Sequence, residues 1–206
     1  MFRHTSKTKP KTEQALELAR KTGLLRPRDL SRYGITREHL RRLLRRGHLQ
    51  RVGVGLYATT DTEPSEHYTL VQAGKLVPRG VICLLSALRF HGLTTQNPAA
   101  VWIAIPHKAW RPRGKGPRLQ IVYFSGATLR SGVEAHSIEG VTVRVFNPAK
   151  TVADCFKFRN KIGLDVALEA LRDYRREHRG GMDELWRYAK ICRVTAVMRP
   201  YLEATA

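Results

Sequence analysis

The chain has 206 residues, 42% of them apolar, enough to fill one large core or two small ones. Its 37 Lys and Arg against 17 Asp and Glu give a formal charge of +20, an excess that concentrates polyanions, of which nucleic acid is the commonest in a cell. No stretch approaches the roughly 20 apolar residues of a spanning helix, and the opening Met1-Phe2-Arg3-His4-Thr5-Ser6-Lys7 lacks an apolar secretion signal. A cytoplasmic protein with no membrane partner is expected.

Residues 1–11 are polar and basic and read as a flexible arm. Thr12 is an acceptable cap for a first helix that carries Ala15, Leu16, Leu18 and Ala19 on one side and stops at Gly23. Pro27 suits the first position of a short second helix, expected to turn Leu30 and Tyr33 inward before Gly34. Thr36 then caps a third helix, 37–46, closed by Gly47. Two short strands, 49–52 and 56–59, flank Gly53-Val54-Gly55 and form a candidate wing.

The polar run 61–65, Asp61-Thr62-Glu63-Pro64-Ser65, is read as a linker. Beyond it, 66–77 and 81–91 read as helices. Alternation predicts strands at 101–105, 119–124 and 141–146, and three helical stretches follow near 148–158, 163–178 and 182–204, the last interrupted around Cys192. The expected fold is therefore an N-terminal winged helix-turn-helix over 12–60, three helices plus a β-hairpin, followed by an α+β domain over 66–206 with a small antiparallel sheet covered by helices.

At 100° per residue, Leu40, Leu43 and Leu44 of the third helix share a sector of about 100°. Glu38, Arg41, Arg42 and Arg45 stand opposite, with Arg37 and Arg46 at the margins. A helix of this diameter fits the DNA major groove, and Arg suits both bidentate contact with guanine and bridging to phosphates. The candidate DNA contacts are thus Thr36, Arg37, Arg41, Arg42, Arg45 and Arg46. Arg51 on the wing, Arg28 on the second helix, and Lys7, Lys9 and Lys11 on the arm would add backbone contacts. Residues 1–60 hold 15 basic and 4 acidic groups, leaving 22 and 13 for the other 146, so the first segment is the more basic per residue.

No enzyme is expected. Glu-x-Lys, Asp-x-Lys and Gln-x-Lys, the restriction-nuclease signature, are absent from the chain, as is a phosphate loop. Asp61-Thr62-Glu63 has the acidic spacing of a nucleotidyltransferase but not the upstream Gly-Ser turn. Ser86 between apolar neighbours reads as a packed hydroxyl, and the eight histidines show no ligand spacing. Cys83, Cys155 and Cys192 are odd in number and set among apolar residues, which predicts reduced, buried thiols rather than a disulfide or zinc site. No cofactor or metal is implied.

One basic loop, 108–118, joins two predicted strands and holds Lys108, Trp110, Arg111, Arg113, Lys115 and Arg118. Two readings stand side by side: a grip on a phosphate backbone or protein partner, or a solvated hairpin with Trp110 folded back on the sheet.

Gly34-Ile35-Thr36 ahead of Leu40 and Leu44, then Gly47-His48-Leu49-Gln50-Arg51-Val52 and Gly55-Leu56-Tyr57-Ala58, resemble the N-terminal winged helix of AbiEi-type antitoxins, regulators of bacterial type IV toxin–antitoxin and abortive-infection systems. Cys83-Leu84-Leu85-Ser86-Ala87-Leu88, His91-Gly92-Leu93 and Asn147-Pro148-Ala149-Lys150-Thr151-Val152-Ala153-Asp154 are similar to later segments of the same family. The resemblance implies a repressor of its own operon that binds inverted repeats in double-stranded promoter DNA, with a second domain that counteracts a nucleotidyltransferase-like toxin. Val54 stands where that family often has a basic residue, leaving Arg51 as the wing's obvious phosphate contact. The alternatives are an enzyme acting on nucleic acid or on the toxin through an unrecognised site in 65–206, and a general nucleic-acid-binding module with no toxin partner.

Overall fold

The computed structural model describes residues 9–53, 55–61, 66–112, 116–139 and 141–203. The first unit starts with α1 (Lys11–Thr22), preceded by Pro10 and lacking a side-chain cap, so the helix begins one residue before the Thr12 expected to cap it. Ala15 and Ala19, on adjacent turns of one face, are fully buried. Gly23 ends the helix at φ +65°, a left-handed conformation that strains any residue with a side chain.

Arg26, held extended ahead of Pro27, leads into α2 (Pro27–Leu30) and a 3-10 turn (Ser31–Tyr33). Leu30 is buried as expected. Tyr33 is 39% exposed, contrary to expectation, because the tighter 3-10 turn rotates it outward, where the Arg32 guanidinium lies 4.9 Å from its ring centre. α3 (Arg37–Arg45) follows, then the antiparallel hairpin β1 (Leu49–Gly53) and β2 (Leu56–Thr59), with a register shift between Arg51 and Gly53. Leu25 adds a third edge to this hairpin, its N–H donating to Tyr57 O at 2.7 Å and its carbonyl accepting from Tyr57 N at 3.0 Å. Val54, the predicted wing tip, lies outside the described residues.

The second unit opens with α4 (Tyr68–Leu76), β3 (Val81–Ile82) and α5 (Leu84–Phe90). The helix expected over 81–91 is thus divided. Val81 and Ile82 pair in the centre of a sheet, and Leu84, at φ +46°, turns the chain from strand into helix. A run of apolar residues carries no period by which a buried strand and a buried helix can be told apart, hence the misreading. β4 (Val101–Pro106), β5 (Leu119–Phe124) and β7 (Val141–Phe146) fall where alternation placed them. β6 (Val133–Ile138), unforeseen, pairs along β7 after the short α6 (Gly126–Arg130).

The sheet order is β5-β4-β3-β7-β6. β3 runs antiparallel to β4 and parallel to β7, β4 runs parallel to β5, and β6 runs antiparallel to β7. The expected antiparallel sheet is therefore corrected to a mixed one. Successive side chains alternate between its faces. Ile82, Ile103, Ile105, Ile121, Val143 and Val145 meet α4 on one side. On the other, Val81, Ala104, Val122, Phe124 and Phe146 meet α5, α7 (Pro148–Lys157), α9 (Leu164–Glu177), α10 (Met182–Cys192) and α11 (Thr195–Glu203). The short α8 (Arg159–Ile162) links α7 to α9, and Arg193, in the left-handed region, separates α10 from α11. No helix of the described residues is long and apolar enough to cross a membrane.

Within this second core lies a buried ion pair. Lys150 Nζ donates to Asp154 one helical turn on, and both side chains are fully buried. The ammonium sits 4.2 Å from the Phe146 ring centre and 5.1 Å from that of Phe124. Asp154 Oδ1 also accepts from the Cys192 thiol at 3.2 Å. Burial pushes the Asp154 carboxyl above its ordinary range, and the Lys150 charge opposes that shift. Asn147 caps α7 by accepting from Lys150 N–H at 2.8 Å, while its amide donates to Tyr188 Oη at 3.0 Å. All three cysteines are free and buried.

The two units share apolar surface. Leu24, fully buried, and Ala58 belong to the cluster formed by α4 and one sheet face. Lys75 of α4 donates to the Leu24 carbonyl and lies 3.5 Å from Asp29. Arg20 bonds Asp61 at 3.0 Å. The rest of the linker, 62–65, lies outside the described residues.

Candidate nucleic-acid interface

The third helix, α3, is fixed at both ends and along one side. At its start, the Thr36 N–H donates to His39 Nδ1 at 3.1 Å and Thr36 Oγ1 lies 2.8 Å from the same nitrogen, so the third residue of the helix reaches back to its cap. At its end, Gly47, at φ +71°, lets its own N–H and that of His48 bond Leu44 O and Leu43 O at 3.1 and 3.0 Å. Leu40 and Leu43 are buried against Ala15, Ala19, Leu30 and Ile35, and Leu44 is partly buried on the same cluster. Leu40 and Leu43, fully buried, each contribute about 1.5–3 kcal/mol.

All five predicted arginines, Arg37, Arg41, Arg42, Arg45 and Arg46, are exposed. Glu38 tempers two of them, with Arg45 Nη2 at 3.0 Å and Arg41 Nη1 at 3.8 Å. Ion pairs this exposed contribute at most about 1 kcal/mol and exchange readily for a phosphate. Arg37, Arg41 and Arg51 also line one groove of about 440 Å³, between α3 and the hairpin, with Pro27, Leu44 and Tyr57. Helix and wing thus present cations to a single concavity. Arg28 is exposed on α2 beside the groove wall formed by Pro27.

The arm lysines within the described residues are tied to the fold. Lys9 pairs with Glu17, and Lys11, the first residue of α1, donates to Tyr33 O at 2.8 Å. Lys7 lies outside the described residues, as do Arg113 and Lys115.

Among the described residues, the cations of the basic loop lie at two ends of the sheet. Because β4 and β5 are parallel, it must carry the chain back along the length of the sheet: Lys108 follows the end of β4, whereas the Arg118 carbonyl accepts from Val101 N–H at its start. Six residues of strand separate these positions by about 20 Å. Lys108, Trp110 and Arg111 are exposed at one end and Arg118 at the other. Trp110 is 89% exposed, so the hairpin with an inward-folded Trp110 is corrected on both counts.

Sequence reasoning missed the contribution of Leu25 and Tyr57, whose pairing ties the segment before α2 to the wing strand that carries Tyr57 into the groove. The signal was present in Leu25-Arg26-Pro27, since a residue before proline prefers extended backbone. Ser86 is a packed hydroxyl, accepting from Trp102 N–H at 2.9 Å. Among the described residues, no group of three His, Cys, Asp or Glu is placed to hold a metal ion.

No curated protein matches the chain. Residues 13–60, which carry the arginine helix and its hairpin, match the model of the family described as transcriptional regulator, AbiEi antitoxin, and that match supports an antitoxin and regulator role.

Proposed function

We propose that this protein is the antitoxin of a bacterial type IV toxin–antitoxin system and represses its own operon in the cytoplasm. The first unit binds inverted repeats in promoter DNA, and the second counteracts a nucleotidyltransferase-like toxin without catalysing a reaction itself. The observation that carries the DNA half of this reading is the α3 surface, where five exposed arginines stand on a helix held by buried leucines. Arg41, Arg42 and Arg45 meet the major groove, Arg37 and Arg51 line the adjoining concavity, and Arg28 and Arg46 bear on the backbone. The antitoxin half rests on the family match over residues 13–60.

The test is the full-length Arg41→Ala, Arg45→Ala double variant. It is expected to fold normally, because both side chains are exposed, and to lose binding to promoter DNA at about 150 mM salt, where non-specific phosphate attraction is reduced. Unchanged affinity refutes the assignment of α3. Co-expression of the same variant with the neighbouring gene tests the second half. Rescue from toxicity is expected to persist if neutralisation belongs to the second unit, and a neighbour without toxicity favours a general nucleic-acid-binding module.

A further inference from the structure

Where the two units meet lies a cavity of about 360 Å³, lined by a different set of residues from the arginine groove. One wall is the segment from the end of α1 to Tyr33, and the other is α4 with the start of β7. Leu24, Leu30 and Val141 give it a buried apolar floor. Around that floor stand Arg26, Arg32, Lys75 and Arg144 against a single carboxylate, Asp29.

The lysine is accounted for. Its side chain is only 9% exposed and is held by Asp29 and the Leu24 carbonyl, and burial pulls its pKa below the ordinary value while Asp29 opposes the shift. The arginines are different. Among the described residues no carboxylate pairs with Arg26, Arg32 or Arg144: Arg32 rests on the Tyr33 ring, and Arg144 Nη1 donates to the Arg79 carbonyl at 3.2 Å. Three arginines lining one partly enclosed space concentrate positive charge there, and an anion placed among them offsets it.

We propose that this cavity binds a single mononucleotide. Its phosphate sits among Arg26 and Arg144, and its base lies against the Tyr33–Arg32 pair over the apolar floor. Three features select this ligand. The volume lies within the range of about 300–1,000 Å³ typical of small-molecule sites, more than an inorganic phosphate fills. The apolar floor rewards a ring rather than a bare anion. Tyr33, 39% exposed with a cation already on its ring, offers a surface for stacking. A ligand held by both walls fastens the reading unit to the second unit, and the 3-10 turn it touches ends at Gly34, two residues before the Thr36 cap of α3.

Isothermal titration of the full chain at about 150 mM KCl, without DNA, tests this separately from the DNA-binding reading. The probes are the four ribonucleoside 5′-monophosphates, their nucleosides and inorganic phosphate. At least one monophosphate is expected to bind one per chain with a Kd below about 1 mM, at least about tenfold tighter than its nucleoside or phosphate alone. Arg144→Gln, Arg32→Gln and Tyr33→Ala are each expected to weaken it about fivefold or more. Arg42→Gln, on α3, leaves it unchanged. Unaltered thermal unfolding of Arg32→Gln and Tyr33→Ala, both exposed, confirms that they remain folded. The proposal is overturned if no monophosphate binds, if phosphate binds as tightly, or if Arg42→Gln weakens binding as much as Arg144→Gln.

Discussion

Arg45 Nη2 lies 3.0 Å from Glu38 Oε1, two turns back along the same face of α3. The only acidic residue of that helix therefore occupies a guanidinium that the proposed function assigns to DNA. Glu38→Gln is expected to raise promoter affinity about two- to fivefold by removing a repelling charge and releasing Arg45. Fluorescence anisotropy with labelled promoter and unrelated duplexes measures it. A fall in affinity for the promoter alone would instead make Glu38 a base contact.

Arg28, exposed on α2, is assigned to the phosphate backbone. Arg28→Ala should weaken specific and non-specific DNA about equally and reduce the slope of log affinity against log salt by about 0.9, the share of one released counterion. Binding isotherms at several salt concentrations decide this, and a loss confined to the promoter sequence would contradict it.

The buried Lys150–Asp154 pair gives an asymmetric expectation for stability. Asp154→Ala strands an ammonium in the core and should cost about 3–5 kcal/mol, whereas Lys150→Met with Asp154→Leu should be near neutral or stabilising. Urea unfolding of the three proteins tests this. If the double variant loses as much as the single one, the pair's hydrogen bonds to neighbours matter more than its charge.

His91 is partly buried, with Nε2 2.7 Å from the Phe146 carbonyl. Burial lowers its pKa from the ordinary 6.5; the Phe146 carbonyl and Glu134 oppose the shift, and His136 and His178, from β6 and the end of α9, add to it. The unfolded chain then takes up a proton as pH falls below 6.5 while the native chain does not. Stability is therefore present above that value and lost below it. His91→Gln, which keeps a donor for Phe146, should flatten this decline in thermal unfolding between about pH 6.5 and 5.

The winged unit was legible because its turns are written in residue types with one main use: Pro27 at a helix start, Thr36 at a cap and Gly47 beyond a helix end. The arginine face followed from helical periodicity alone. The second unit was harder. Val81 and Ile82 form a central strand two residues long, too short to show a period of two, and β6 is an edge strand whose Glu134, His136 and Ser137 blur it. Strand direction was illegible for another reason: β3 is set parallel to β7 by contacts more than sixty positions apart, which no local pattern encodes. The cavity between the units was invisible too, since Arg32 and Arg144 become neighbours only in the folded chain.

Leu24 bears on heredity as much as on stability. It enters from the first unit and is buried in a socket of α4 and sheet residues, with Lys75 closing over its carbonyl. A first unit traded between relatives would have to bring a residue of matching shape, or the recipient body would need a recut socket. If α3 reads DNA as proposed, new specificity is thus more accessible through changes on its outer face, where Arg42 and Arg45 are exposed, than through exchange of whole heads.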